Sequence, residues 1–149
     1  MQEPLVIGWR EWVSLPQLGL AAIKAKIDTG ARSSSLHVAA LEAFERDGRT
    51  WLRFAVAPRR RSARSVECEA PALERRRVTD SSGNSAERWF IRSTIALGSN
   101  RFDAEINLSD RGGMLFPMLL GRTALRGRFR VDPDLSWACG RRRRPGMAA

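Results

Sequence analysis

Apolar and polar residues alternate along most of this chain with a period of two, which is typical of half-buried β-strands. In LAAIKAKID, residues 20–28, the residues Ile23, Ala25 and Ile27 fall on one face and the two lysines fall on the other. The same alternation is present in residues 5–15, 50–58, 88–97 and 101–108. Several short strands separated by turn residues predict an all-β domain, folded as a closed barrel or a sandwich.

Helix signals are confined to two short segments. In SSSLHVAALEAF, residues 33–44, serines that could cap a helix precede apolar residues at helical spacing, which predicts a short helix. A second short helix is predicted for RTALRGRF, residues 122–129, directly after Gly121. Turn residues at Asp47-Gly48 and at 98–100 predict two hairpins.

The composition is that of one globular domain. The chain has 149 residues, of which 43% are hydrophobic, and this is enough for a single core. We assign residues 1–140 to the domain and residues 141–149 to a basic disordered tail, which lacks the apolar residues that a core requires. The net charge is +10, with arginines concentrated in residues 59–77 and in the tail. Because no folded basic stripe with interleaved aromatic residues is evident, this distribution argues against a nucleic-acid partner.

Targeting and metal signals are absent from the sequence. No segment approaches the roughly 18 consecutive apolar residues of a membrane span, and the N-terminus lacks the basic start and apolar run of a signal peptide. We therefore expect a soluble, cytoplasmic protein that does not bind membranes. Cys68 and Cys139 have no CxxC spacing, and His37 is the only histidine. With neither HExxH nor GxxxxGK[ST] in the chain, we expect no metal and no cofactor.

One tripeptide carries the chemistry. Asp28-Thr29-Gly30 directly follows the alternating strand of residues 20–27, so the carboxylate is presented where a strand ends. Alone the tripeptide is a weak signal, because these residues are common in turns. The later stretch MLFPMLLGRTAL, residues 114–125, adds a second apolar strand that ends in Gly121-Arg122.

These segments together resemble the retropepsins, the single-domain aspartic proteases of retroviral type. More closely, residues 6–138 resemble the bacterial retropepsin-like family that is found beside ATP-grasp peptide ligases and is also labelled as ATP-dependent zinc proteases. The resemblance implies a retropepsin-like closed acid-protease barrel with one or two short helices. It also implies an aspartic endopeptidase that needs no cofactor, since two carboxylates that share one proton can activate water.

The resemblance assigns roles to the residues around Asp28. A chain with one Asp-Thr-Gly motif needs a second copy, so the resemblance implies a homodimer with its active site on the symmetry axis. Thr29 would bond across that axis, and Gly30 would let its backbone N–H approach the carboxylate. Ala31 is the small residue that follows. Retroviral enzymes then have an acidic residue that pairs with the arginine of the Gly-Arg motif, but this chain has Arg32.

With an arginine at position 32, we expect Arg122 to pair with another carboxylate, either Asp110 or Asp28. Residues 78–89, VTDSSGNSAERW, are expected to form the flap hairpin that closes over a bound peptide. The residues expected to contact substrate are Ala31, Arg32, Ser82, Gly83, Arg88, Trp89 and Arg122. Together with Arg77 and Arg111, these arginines would favour acidic or glutamate-tailed peptides.

A second hypothesis remains open at the level of sequence. The chain could be a catalytically inactive module with the protease fold, which uses Arg32 and its loops to bind an acidic protein partner. Replacement of Asp28 by asparagine separates the two hypotheses, because it removes hydrolysis and leaves binding of such a partner largely intact.

Overall fold

A computed structural model of the chain describes residues 3–57, 64–79, 82–110 and 115–140. Residues 58–63 of the arginine-rich segment and the tail at 141–149 lie outside this described part. The strands are β1 (Leu5–Ile7), β2 (Arg10–Leu15), β3 (Leu20–Ile27), β4 (Ser34–His37), β5 (Ala39–Arg46), β6 (Arg49–Val56), β7 (Val66–Pro71), β8 (Glu74–Thr79), β9 (Ser85–Leu97), β10 (Asn100–Ser109), β11 (Met118–Leu120) and β12 (Phe129–Val131). A 3₁₀ turn spans Pro16–Leu18, and a single α-helical turn, α1, spans Arg122–Leu125.

Six strands form a closed barrel in the order β10, β4, β11, β3, β2 and β9, and the pairing of β9 with β10 closes the ring. Strand β8 pairs with β9 outside the ring and makes a hairpin with it. The barrel interior is filled by the apolar faces of the alternating strands, including Ile23, Ala25 and Ile27 of β3. The predicted all-β closed barrel is therefore confirmed. Of the short helix predicted for residues 122–129, only the first turn is present, as α1, and Phe129 begins β12.

A second, three-stranded sheet of β5, β6 and β7 accounts for the residues between β4 and β8. Its inner face buries Leu52, Phe54 and Val56 as the alternation predicts. Cys68 lies on this inner face, where its Sγ contacts the carbonyl oxygen of Leu18 at 3.4 Å. Burial there raises the pKa of the Cys68 thiol to about 11. The cysteine is thus part of the packing between the sheet and the barrel.

The short helix predicted for residues 33–44 is wrong, because this segment forms the strands β4 and β5. Strand β4 lies between β10 and β11, where it completes two ladders of backbone hydrogen bonds. Its serines are buried in hydrogen-bonded positions within the barrel wall, so they do not cap a helix. Ala40, at a positive φ of 53°, lies where the pairing register of β5 with β6 shifts. Tertiary pairing therefore overrides the local helical spacing.

The N-terminal and C-terminal segments of the domain contact each other. Strands β1 and β12 pair in parallel, with Leu5 opposite Phe129 and Ile7 opposite Val131. The carboxylate of Glu11, which is fully buried, accepts hydrogen bonds from the backbone N–H groups of Gly8 and of residues 138 and 139. This carboxylate fixes the C-terminal segment against β2. Among the described residues, no helix is long and apolar enough to cross a membrane.

Candidate active site

The loop of residues 28–33 begins at the end of β3 and is shaped by its own first residue. Gly30 donates its backbone N–H to Oδ1 of Asp28 at 3.0 Å, and Ala31 donates to the carbonyl oxygen of Asp28 at 3.2 Å. Asp28 itself donates its N–H to the carbonyl oxygen of Leu120 at 2.8 Å. Asp28 is half-buried, whereas Thr29 and Gly30 are exposed. The geometry holds a carboxylate in one orientation at an accessible edge of the barrel.

Residues 120–123 clasp this loop from the other side. Arg122 donates its backbone N–H to the carbonyl oxygen of Ala31 at 2.7 Å. Thr123 donates both its N–H and its hydroxyl to the carbonyl oxygen of Arg32, at 3.1 and 3.0 Å. The approach is so close that a Cβ at Gly121 would lie 2.5 Å from the carbonyl oxygen of Ser33. Position 121 therefore requires glycine for steric reasons.

The side chain of Arg122 holds the loop as well. Its Nη1 donates to the carbonyl oxygens of Thr29 at 3.0 Å and Gly30 at 3.1 Å. We predicted that Arg122 pairs with a carboxylate, and that prediction is wrong within the described part of the chain, where these two carbonyl groups are its partners. A guanidinium can cap backbone carbonyl groups as readily as it binds an acid, because it carries several fixed donors. Arg32, in the same loop, is exposed.

The 78–89 hairpin is present as β8 and the start of β9. The hydroxyls of Thr79 and Ser85 lie 2.7 Å apart across its end, and Gly83 adopts a positive φ of 85° in the turn. Ser82 and Gly83 are exposed, whereas Asp80 and Ser81 lie outside the described residues. The described part of the turn therefore carries small residues at Ser82 and Gly83.

The other residues expected at the substrate cleft have mixed positions. Trp89 is half-buried and packs against the barrel core, with the guanidinium of Arg75 over its ring at 5.1 Å from the centroid. Arg77 is exposed on β8, and Arg111 lies outside the described residues. Arg88 is half-buried and donates from Nη1 to Oδ1 of Asn107 at 3.1 Å. The expected group of arginines is thus spread over several environments.

Asn107, Ser34 and Ser35 are polar residues in the barrel wall whose contacts the sequence analysis missed. Ser35 donates its hydroxyl to Oδ1 of Asn107 at 2.8 Å, and Nδ2 of Asn107 donates to the carbonyl oxygen of Ser34 at 3.0 Å. Ser34 Oγ accepts the backbone N–H of Gly121 at 3.1 Å. The sequence signal was the single asparagine in an otherwise apolar part of β10, which has Ile106 and Leu108 on either side.

His37, at the end of β4, stands apart from other metal-binding side chains. Its Nδ1 is buried and has no hydrogen-bond partner among the described residues. The same part of the chain contains no group of three or more His, Cys, Asp or Glu side chains that could hold a metal ion. The described geometry of the 28–33 loop offers a positioned carboxylate, which can act as a general acid or base.

Comparison with known proteins places this geometry in a family. The family profile described as "RimB-like: Retropepsin-like aspartic endopeptidase RimB" matches residues 6–141. The chain is also similar to a crystal structure of the Legionella pneumophila protein Lpg0085, whose function is described as unknown. That similarity has a TM-score of 0.75 and 28% identity, and it covers 92% of this chain and 99% of the other.

Two curated relatives are each named "Probable alpha-L-glutamate ligase". The protein from Desulfotalea psychrophila is 44% identical over 136 residues, which cover 91% of this chain and 29% of the relative. The protein from Parasynechococcus marenigrum is 42% identical over 151 residues, which cover 100% of this chain and 32% of the relative. The chain therefore spans less than a third of the length of each of these two relatives, so their ligase name describes proteins that are much longer.

Proposed function

Because the chain belongs to the RimB-like family of retropepsin-like aspartic endopeptidases, we propose that it hydrolyses peptide bonds with Asp28 as its catalytic residue. The observation that carries the proposal is the hydrogen bond from the N–H of Gly30 to Oδ1 of Asp28 at 3.0 Å. This bond orients a carboxylate at an accessible barrel edge, within a loop that Arg122 and Thr123 clasp. Such preorganisation is what acid–base catalysis requires.

Hydrolysis by this route uses two carboxylates. The ionised Asp28 of one subunit takes a proton from water, while the protonated Asp28 of the second subunit donates its proton to the scissile carbonyl oxygen. The resulting gem-diol collapses when the acid that took the proton from water donates it to the leaving amine. At the same time the other carboxylate takes a proton from a hydroxyl of the diol, so the C–N bond breaks and the pair again holds one shared proton. Because the two carboxyl groups interact strongly, they titrate as a pair and not as separate residues.

The second carboxylate has to come from a second copy of the chain, since the sequence contains a single Asp-Thr-Gly motif. We infer a homodimer in which two 28–33 loops face each other. The exposure of Thr29 and Gly30 in the single chain supports this inference, because both residues are accessible to a partner. In the dimer Thr29 is the residue that bonds across the axis, and Ala31 borders the bound peptide.

The 78–89 hairpin is the flap of this proposed enzyme. Its tip, with Ser82 and Gly83, closes over the backbone of a bound peptide and excludes water from the reaction. Trp89 at the base of the hairpin borders the cleft on the same side. Because all three residues lie on one hairpin, its movement opens and closes the site for substrate.

Acidic peptides are the substrate class that the charge of the chain favours. The net charge is +10, and Arg32 is exposed within the 28–33 loop. Two curated relatives that contain this domain are named as probable α-L-glutamate ligases. We propose that the chain cleaves glutamate-tailed peptides, in which carboxylates near the scissile bond pair with exposed arginines such as Arg32.

The test is peptide digestion by the chain and by its Asp28→Asn variant. We expect the variant to lose hydrolysis by about a thousandfold or more, because removal of one member of a catalytic unit removes most of its effect. The matched control is Asp47→Asn, at an exposed hairpin turn where asparagine tolerates the positive φ of 52°. Equal rates for the wild type and Asp28→Asn would refute the catalytic assignment.

The substrate class is tested separately with matched peptides. Oligoglutamate-tailed and oligoglutamine-tailed peptides are compared at low and high salt, and the acidic series is expected to be cleaved faster at low salt because screening weakens charge pairing. Equal rates at low salt would refute the acidic preference and leave the proteolytic proposal intact. If neither series is cleaved and Asp28→Asn still binds the acidic peptides, the chain is the inactive binding module instead.

A further inference from the structure

Asn107 is a buried side chain amide whose hydrogen bonds join three strands. It is 1% exposed. Its Oδ1 accepts from the hydroxyl of Ser35 at 2.8 Å and from Nη1 of Arg88 at 3.1 Å. Its Nδ2 donates to the carbonyl oxygen of Ser34 at 3.0 Å. A buried amide is unfavourable unless it is hydrogen-bonded, so this arrangement fixes the side chain in one orientation.

One branch of this network leads to the 78–89 hairpin. Arg88 lies on β9, one residue before the end of the hairpin segment, and its hydrogen bond to Asn107 crosses from β9 to β10. The N-terminal end of β9 directly follows the turn that contains Gly83. The contact of Arg88 with Asn107 therefore anchors the base of the hairpin to the barrel wall.

The other branch leads to the 28–33 loop. Ser34 is the first residue of β4 after that loop, and its Oγ accepts the N–H of Gly121 at 3.1 Å. Gly121 immediately precedes Arg122, which caps the carbonyl oxygens of Thr29 and Gly30. Movement of Asn107 would thus be transmitted to the residues that shape the loop around Asp28.

Strand pairing alone does not require a polar residue at position 107. Asn107 is opposite Ser35 in the parallel pairing of β10 with β4, and opposite Phe90 in the antiparallel pairing of β10 with β9. The neighbouring residues Ile106 and Leu108 are buried and apolar. The side chain amide of Asn107 therefore adds directional hydrogen bonds to both branches of the network.

We propose that Asn107 is a positioning residue that couples the 78–89 hairpin to the 28–33 loop. A shift of the hairpin, which moves Arg88, changes the placement of Ser34 and Gly121 and hence the loop that carries Asp28. The coupling itself is a property of the fold, whereas its effect on peptide hydrolysis rests on the proposed function.

Amide hydrogen exchange measured by NMR tests the coupling without any substrate. In Arg88→Gln, the N–H groups of Gly121 and Gly30 are expected to exchange at least about tenfold faster than in the wild type, because the local opening free energy falls. Ser93→Ala is the control, since Ser93 is also a buried polar residue of β9 but hydrogen-bonds Gln17 at 3.4 Å, away from the loop. Unchanged exchange at both glycines in Arg88→Gln, or an equal change in Ser93→Ala, would overturn the proposal.

Asn107→Asp provides a second variant that preserves the shape of the side chain. The carboxylate keeps an acceptor for Arg88 and Ser35 but lacks the amide that donates to Ser34. We expect faster exchange at Gly121 in this variant, and no further increase when Arg88→Gln is added to it. An additive increase in the double variant would show that Arg88 reaches the loop by another route, which would overturn the role of Asn107.

Kinetics separate the two branches in an active chain. Arg88→Lys is expected to raise KM, because it loosens the hairpin, while Ser34→Ala is expected to lower kcat, because it releases Gly121. The effects of Arg88→Lys and Ser34→Ala on kcat/KM are expected to be coupled in the native chain and additive in the Asn107→Ala background. The Asn107→Ala substitution alone is expected to lower kcat/KM by about 10- to 100-fold. Additivity in both backgrounds would overturn the coupling. Accelerated exchange without any peptide cleavage by the wild type would support the coupling and refute the proposed function.

Discussion

Position 121, a glycine, is where the candidate site tolerates an added side chain least. An alanine Cβ there would lie 2.5 Å from the carbonyl oxygen of Ser33 and 2.9 Å from that of Ala31. These are backbone atoms, so relief requires movement of the 28–33 loop. We expect Gly121→Ala to lower the free energy of unfolding by about 1–3 kcal/mol and to lower peptide hydrolysis by about a hundredfold, as measured by denaturation and by kcat/KM.

Gly127→Ala is the matched control for Gly121→Ala. Gly127 has a positive φ of 78° and open space around its Cβ position, so alanine there introduces backbone strain without a clash. Its expected cost is about 1 kcal/mol, with little change in kcat/KM. Wild-type hydrolysis by Gly121→Ala, or a comparable loss in Gly127→Ala, would contradict the steric account of the clasp.

The two cysteines, Cys68 and Cys139, make the stability of the chain depend on pH. Burial raises the pKa of Cys68 from 9.0 to about 11, and burial together with the charge of Glu11 raises that of Cys139 to about 11. A raised pKa in the folded state means that the folded chain holds these protons more tightly. Their contribution to stability is therefore complete below pH 9.0 and is lost as the pH rises through about 11.

Urea unfolding at a series of pH values measures this contribution. The free energy of unfolding of the wild type is expected to fall between pH 9.0 and about 11 more steeply than that of a Cys68→Ala, Cys139→Ala double variant. The variant is less stable at every pH because it leaves space in the packing, so the comparison concerns the slope alone. Parallel slopes would contradict the burial of the two thiols.

At the scale of elements, the sequence predicted strands where the alternation is strict and failed where pairing decides. The lysine alternation gave β3, and turn residues gave the hairpin of β9 with β10. The helix predicted for residues 33–44 was wrong, because the spacing of apolar residues within this segment carries no information about the pairing of β4 with β10 and β11. The Asp-Thr-Gly loop was visible from its position after β3. Its clasp by Arg122 was not, since backbone carbonyl partners leave no signal in the side chains.

Glu11 on β2 is a second element-scale contact that the sequence did not reveal. The alternation of residues 5–15 puts Glu11 on the buried face, between apolar positions, where a carboxylate is unexpected. It is retained because it accepts three backbone N–H groups, those of Gly8, Ala138 and Cys139, at 2.6, 2.9 and 3.1 Å. The carboxylate therefore links β2 to the C-terminal segment, beside the stacked rings of Trp12 and Trp137.

Glu11→Ala is expected to lower the free energy of unfolding by about 3 kcal/mol or more, because it leaves buried N–H groups without an acceptor. Tryptophan fluorescence followed during urea unfolding measures the loss and reports on the stack of Trp12 and Trp137. The control is Glu45→Gln, an exposed glutamate that accepts a hydrogen bond from Thr50 across a surface hairpin, with an expected change within about 0.5 kcal/mol. Similar losses in both variants would rule out a special role for the buried carboxylate.

At the scale of the whole molecule, the pairing of β1 with β12 and the buried Glu11 tie both ends of the domain into one protomer. We propose the exposed part of the 28–33 loop as the surface through which a second copy completes the site. A dimer of this kind makes the activity depend on pairs of subunits. An enzyme that works as a monomer depends on each subunit separately, so mixtures of active and inactive chains distinguish the two.

Wild-type chain and Asp28→Asn are unfolded together, refolded and assayed for peptide hydrolysis at fixed total concentration. Random pairing in an equal mixture leaves about one quarter of the dimers with two aspartates, so about one quarter of the wild-type rate is expected. Independent subunits would give about one half instead. Refolding with Asp47→Asn in place of Asp28→Asn is expected to preserve the full rate, because Asp47 lies at an exposed turn. A linear decline of the rate with the fraction of Asp28→Asn would show that one Asp28 suffices and that the shared-proton mechanism does not operate.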